Sequence, residues 1–238
     1  MAYLGYIDQS RVRLEEALSE AHRLKHAQTL AGVLLYANWI AWITCPPELG
    51  RYAEELMAIS IEHRFPFHLG YATVFHGASL IALGQAHEDL TLLTQGLEAL
   101  RATGTVINTS IVLVWLAEAY AMVGQPADGL NCLAEAARII ETTEERNSKA
   151  ELYRLRGDLL NATGDPSAAE RSYRQALAVA KLQNAKLLEL RASLSLARLW
   201  CKQNRRGEAR DLLAPIYRWF TEGFDMLDLK EAKALLEE

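Results

Sequence analysis

Three cysteines in 238 residues, Cys45, Cys132 and Cys201, are too few and too widely spaced for a disulfide framework. They fit a reducing cytoplasm, where lone thiols read as small buried hydrophobes. Basic charge is not in excess: 25 Lys and Arg stand against 30 Asp and Glu, giving a net charge of -5. General nucleic-acid binding needs a basic face and is not expected. Met1 to Asp8 lacks the basic and apolar regions of a signal peptide. The most apolar stretch, Leu30 to Ile43, falls short of the ~20 residues that cross a bilayer. It reads as a core helix, and no membrane partner is expected. Chemical signatures are missing as well. There is no glycine-rich phosphate loop, no dinucleotide fingerprint, no HExxH, no CxxC and no GxSxG. The expectation is a non-enzyme with no catalytic residue, no cofactor and no metal. Half the residues are hydrophobic and 23% are charged, which excludes disorder.

What the chain does have is a repeat. A small residue recurs every 40 positions, at Ala37, Gly77, Ala117, Gly157 and Ala197. Three positions later stand Ile40, Leu80, Tyr120, Leu160 and Trp200. Turns recur on the same period: Thr44-Cys45-Pro46, Gly84-Gln85, Gly124-Gln125-Pro126, Gly164-Asp165-Pro166 and Asn204-Arg205-Arg206. Units in phase like this bury their apolar faces against their neighbours. Apolar spacing is helical throughout and strand-like alternation is missing. Each unit therefore predicts two antiparallel helices. The first helices fall at 28–43, 67–83, 106–123, 147–163 and 185–203, and the second at 47–64, 86–103, 126–143, 166–183 and 206–222. Pro126 and Pro166 sit where a helix start tolerates a missing N–H. Asp165 and Asn147 read as N-caps. The expected layout is one domain, 1–238. Residues 1–26 form a truncated first repeat, introduced by the turn Leu4-Gly5-Tyr6; 27–223 form five hairpins, and 224–238 a capping helix.

The unit resembles a tetratricopeptide repeat. Gly157, Leu160, Ala169, Tyr173 and Ala176 match that motif's small, large, small, aromatic and small positions. Asp89 and Gly129 depart at the Ala169 position. Because the period exceeds the usual 34 residues, the helices should be longer by about a turn each. The implied fold is all-α, a right-handed α–α superhelix of the tetratricopeptide-like solenoid class, built from 40-residue hairpins. The last ninety residues carry a sharper resemblance. Glu151-Leu152-Tyr153-Arg154-Leu155-Arg156-Gly157, Ser195-Leu196-Ala197-Arg198-Leu199-Trp200 and Trp219-Phe220-Thr221-Glu222-Gly223-Phe224 look like the tail of bacterial multidomain proteins. In those, a class III adenylate or guanylate cyclase domain and an AAA-type ATPase precede a repeat region. The resemblance implies a regulatory or scaffolding segment, truncated from a longer parent, whose partner is a cyclase or ATPase domain. It does not bring their activities, because the matching domains are missing.

In repeats of this type the first helices line the concave face. The positions facing inward include Asn38, Tyr71, Val74, Ile81, Ile111, Val114 and Glu118, then Arg154, Asp158, Asn161, Arg191 and Arg198. This candidate partner groove is apolar in the first three units and charged in the last two. An apolar face that long is covered by a partner, by neighbouring repeats, or by a second copy docked on the N-terminal repeats. Arg154, Arg191 and Arg198 should converge, held by Glu151 and Asp158 until an acidic segment displaces them. Two functions are open. The leading one is a protein–protein interaction module that binds a peptide apolar at one end and acidic at the other. The alternative is a small-molecule sensor, with Trp39, Tyr71 and Trp115 lining a pocket. Remaining candidates read as structural. His22 and His26, four apart, lack further metal ligands. His76 reads as a satisfied core or interface residue, and Arg198, Lys202, Arg205, Arg206 and Arg210 as a solvated turn, with an acidic partner surface as the alternative.

Overall fold

The computed structural model describes residues 1–44, 46–82 and 86–237, with side chains at all of these except 46, 82 and 86–89. The expectations at Cys45, Gly84-Gln85 and the Asp89 side chain lie outside that description. The described elements are a 3-10 turn (Ala2–Leu4) and the helices α1 (Ile7–Leu24), α2 (Ala27–Thr44), α3 (Pro46–Glu62), α4 (Pro66–Ala82), α5 (Ala86–Ala102) and α6 (Thr109–Met122). They continue with α7 (Pro126–Thr143), α8 (Lys149–Ala162), α9 (Pro166–Leu182), α10 (Lys186–Lys202), α11 (Arg206–Trp219) and α12 (Leu227–Glu237). No strand occurs among the described residues. The all-α class and the alternation of first and second helices are those the period predicts.

The chain divides into two compact units. The C-terminal unit is Arg146–Glu238 together with Met1–Asp8; the N-terminal unit is Gln9–Glu145. Within the N-terminal unit α2 packs on α3, α4 on α5 and α6 on α7, while α2, α4 and α6 lie side by side. Within the C-terminal unit α8 packs on α9 and α10 on α11, and α10 also touches α8 and α12.

This layering explains the residue patterns. A second helix buries one stripe: α7 does so through Gly129, Leu133, Ala136 and Ile140, at steps of four, three and four. A first helix is covered on several sides, so Thr109 to Ala117 are all buried in α6. Close approach is set by Gly157, where an added Cβ would fall 2.4 Å from Tyr173 Cε1. Ala169 is fully buried in the same hairpin. The small and aromatic positions of the motif thus meet as expected.

Helix ends obey local chemistry, with three departures. Asp165 caps α9, accepting from the Ala168 N–H at 2.8 Å, with Pro166 behind it. Asn147 does not cap α8: its side-chain oxygen takes the Ser148 N–H at 2.9 Å, and the helix opens at Lys149. α6 opens at Thr109 rather than 106 because Asn108 is left-handed, with φ 59°. The Glu145 carboxylate accepts from the Asn108 N–H at 2.8 and 3.0 Å, fixing that turn. α11 stops at Trp219, three residues early, because Phe220 is extended.

Candidate partner-binding surface

In the N-terminal unit the apolar candidates are core. Tyr71, Val74, Ile111, Val114 and Asn38 are at most 3% exposed. They are covered within the unit, which is one of the alternatives the sequence left open for this apolar face. Val74 shows the cause: a Cβ on Gly96 would fall 2.6 Å from its Cγ2, so it packs against α5 within its own hairpin. Rings fill the space beside it. Trp39 lies 5.1 Å from Phe75, 5.4 Å from Trp115 and 6.2 Å from Tyr71, and Trp42 lies 4.8 Å from Trp115. The Tyr71 hydroxyl donates to the Ile107 carbonyl at 2.6 Å, and burial pushes its pKa up to about 12. Asn38 donates from Nδ2 to the Leu34 carbonyl at 2.9 Å, but its Oδ1 has no hydrogen-bond partner among the described residues. The same is true of Trp115 Nε1. Ile81 and Glu118 are half-buried.

In the C-terminal unit the charged candidates form a paired ladder. Arg154 donates to Glu151 Oε1 from Nε at 2.9 Å and from Nη2 at 2.5 Å, and to Asp158 Oδ2 at 2.5 Å. The Tyr173 hydroxyl donates to the other Asp158 oxygen at 2.7 Å. Burial and the adjoining carboxylate raise its pKa well above the tyrosine range. Burial of Glu151 would raise its pKa, but Arg154 and Arg191 outweigh burial and hold the carboxyl below its ordinary value. Glu151 and Asp158 thus hold Arg154, as the helical spacing predicts. Glu151 and Asp158 are expected to hold the other two arginines as well, but the structure gives those two acidic partners outside that expectation. Arg191 pairs with Asp228 at 3.2 Å, and Arg198 pairs with Glu231. Both acids sit on α12, whose Leu229 and Ala232 are buried. Asn161 is half-buried at the end of the ladder.

A second feature was missed. The turn Ala2–Leu4 packs on α10. Tyr3 lies against Ala150, Ala180, Ala185 and Leu188, with its hydroxyl in the field of Arg191 and Glu151; burial pushes its pKa up to about 12. The aromatic at position 3 was the only signal in the sequence, and it has no place in the 40-residue period.

His22 meets Glu55 at 3.3 Å and His26 meets Thr29 at 2.8 Å. No group of three metal-ligating side chains occurs among the described residues. His76 is half-buried and its Nδ1 has no hydrogen-bond partner among the described residues, so the satisfied state expected of it is not seen there. Cys132 and Cys201 are free and half-buried rather than fully buried. The basic cluster is only partly solvated: Arg198 pairs with Glu231, and Arg205 pairs with Glu170 at 2.9 Å and Glu208 at 2.8 Å while lying over Trp200. Arg206 and Arg210 line a cavity of about 200 Å³ with Cys201, Leu213, Leu235 and Leu236. No described helix is long and apolar enough to cross a membrane.

Comparison with known proteins agrees with this geometry at the level of fold. Residues 108–181 match the family model described as tetratricopeptide repeat. The chain is similar to the crystal structure of a point variant of a Podosopora anserina putative kinesin light chain with nearly identical TPR-like repeats. There the identity is 22% over 86% of this chain and 92% of that one, with a TM-score of 0.51. A second structure of those repeats aligns with 19% identity over 97% and 96% of the two chains, at a TM-score of 0.48. Yeast Tom70 aligns with 12% identity over 96% of this chain and 58% of Tom70, at a TM-score of 0.41. No curated protein matches the sequence. The fold is thus an all-α, tetratricopeptide-like repeat.

Proposed function

We propose that the chain is a non-enzymatic protein–protein interaction module. The observation that carries this reading is the arginine ladder of the C-terminal unit. Arg154, Arg191 and Arg198 stand on two neighbouring first helices and are neutralised by four carboxylates of the same chain. Planar guanidinium forks suit carboxylates, so an incoming acidic segment competes on equal chemical terms with Asp228 and Glu231. Repeats of this type generally serve as protein-binding scaffolds and not as catalysts, which supports the reading. At a finer level, the resemblance of the last ninety residues extends it to the regulatory tail of a cyclase- or ATPase-type signalling protein. The test identifies a partner by pull-down and measures its affinity for Arg154→Ala/Arg198→Ala. A folded double variant with unaltered affinity at low salt refutes the polar anchor, because exposed ion pairs are strongest there.

One observation favours a second reading, in which the N-terminal unit senses a small molecule. Asn38 Oδ1 and Trp115 Nε1 are a buried acceptor and a buried donor without hydrogen-bond partners among the described residues, and Trp115 belongs to a cluster of rings. Native interiors rarely leave such atoms unmatched. A planar ligand with one donor and one acceptor suits them. Ligand-induced quenching of tryptophan fluorescence that disappears in Trp115→Phe supports this reading; unchanged quenching in that variant counts against it.

A further inference from the structure

The first eight residues are seated in the C-terminal unit like a bound peptide. Ala2 and Ile7 are buried, at 7% and 0% exposure. Tyr3 occupies an apolar socket walled by Ala150, Ala180, Ala185 and Leu188. Gly5 is left-handed, with φ 93°, and a Cβ there would fall 2.5 Å from Trp219 Cζ3. Ile7 fits against Gly223, and the Asp8 carboxylate accepts from the Gly223 N–H at 3.1 Å. The seat therefore takes an aromatic, a close backbone approach, an aliphatic and a carboxylate in that order. Lys186 lies 5.8 Å from the Trp219 ring, and Arg191 acts on the Tyr3 hydroxyl.

The outer side of the same segment is unusual. Met1, Leu4, Tyr6, Trp219 and Phe224 are all large, apolar and 37–54% exposed. Tyr6 and Trp219 are edge to face at 6.0 Å. Before α1 the segment's only regular structure is a three-residue turn, and an apolar rim of this kind marks an interaction surface. The seat would remain when the segment leaves, because its walls belong to α8, α9, α10 and the 219–223 stretch.

We propose that Met1–Asp8 is a displaceable strap, and that its seat is the docking site for a partner segment of the same chemistry: an aromatic residue, then an aliphatic and an acidic one. The proposal deepens the interaction reading, on which it rests, and places a binding surface beside Arg191. The strap acts as the resident competitor. While it is seated, the apparent affinity for a partner falls in proportion to the fraction of chains with the seat open.

The test uses the full chain and a labelled peptide, Met-Ala-Tyr-Leu-Gly-Tyr-Ile-Asp. Gly5→Val lifts the strap through the collision with Trp219 and the left-handed backbone, and Tyr3→Ala empties the socket from the strap side. By fluorescence anisotropy the peptide should bind either variant at least ~10-fold tighter than the wild type, as expected when a small open fraction becomes a large one. A peptide with alanine for its own tyrosine should lose that gain. In the unaltered chain, the Leu4 and Gly5 amides should exchange at least ~100-fold faster than amides in the middle of α10. Variants of unchanged helicity that fail to bind the peptide overturn the proposal, as does equal protection of strap and α10. A variant that dimerises instead, with a second copy filling the seat, overturns it too. These failures leave the arginine-ladder reading standing, since that depends on Arg154 and Arg198, which the strap variants do not touch.

Discussion

Substituting Gly157 by alanine sets two opposed effects of known size against each other. Glycine inside a helix is worse than alanine by roughly 0.5–1 kcal/mol, because it loses more backbone freedom on folding. On propensity alone Gly157→Ala in α8 should therefore stabilise. The structure reverses the sign. The new Cβ would fall 2.4 Å from Cε1, 2.5 Å from Cδ1 and 2.9 Å from Cζ of Tyr173, distances that force α8 or the ring to move. The ring cannot swing away freely, because its hydroxyl is bonded to Asp158, which in turn holds Arg154. Overpacking of this kind costs about 1–3 kcal/mol. The net expectation is destabilisation of roughly 1–2 kcal/mol, a fall in Tm of ~2–8 °C for a chain of this size. The assay is urea unfolding monitored by circular dichroism, with a double-mutant cycle against Tyr173→Ala. Removing the ring makes room, so the two changes should couple favourably and the alanine at 157 should then stabilise. Gly32 serves as the control: it lies inside α2 with no atom within 4 Å of its would-be Cβ. Gly32→Ala should stabilise by ~0.5–1 kcal/mol. If Gly157→Ala also stabilises, or shows no coupling to Tyr173, the close-approach argument for this hairpin is wrong.

The ladder and the thiols carry further expectations. Arg191→Ala should destabilise by about 1.5–3 kcal/mol, because it removes the charged partner of the partly buried Asp228; a loss under ~1 kcal/mol would mean the pair behaves as an exposed one. Glu151 has a lowered pKa in the folded chain, so its contribution is present above its ordinary value of 4.5 and is lost as pH falls through the lowered value. Glu151→Gln should cost about 2 kcal/mol near neutral pH, and the gap to wild type should close in acid; a gap that stays constant with pH in thermal melts refutes the ionised pairing. Burial, aided by Glu135 and Asp128, pushes the Cys132 thiol up to about 11. At pH 7 that leaves ~100-fold less thiolate than a cysteine at the ordinary value of 9.0. Alkylation of the Cys45→Ser/Cys201→Ser variant should be correspondingly slow, and labelling at a free-thiol rate would show that Cys132 is not shielded.

The period in the sequence determined the helical hairpins, their order and most of their ends. That succeeds because small residues, turns and N-caps act within a few residues of themselves: Gly157 must face a neighbouring helix, and Asp165 must cap the helix that Pro166 opens. The sequence also determined that Arg154 sits between Glu151 and Asp158, since positions three and four apart share a helix face. Only the tertiary structure decided which inward positions stay accessible. Val74 and Arg154 occupy the same repeat phase, yet Val74 is sealed against Gly96 while Arg154 keeps its ion pairs at a partly exposed edge. Periodicity reports direction from the helix axis, not what stands there. The partners of Arg191 and Arg198, 37 and 33 residues away on α12, and the seat of Tyr3, closed by residues 150–188, depend on where distant segments meet. No local spacing encodes such meetings, because they are fixed by the sum of packing along the intervening chain.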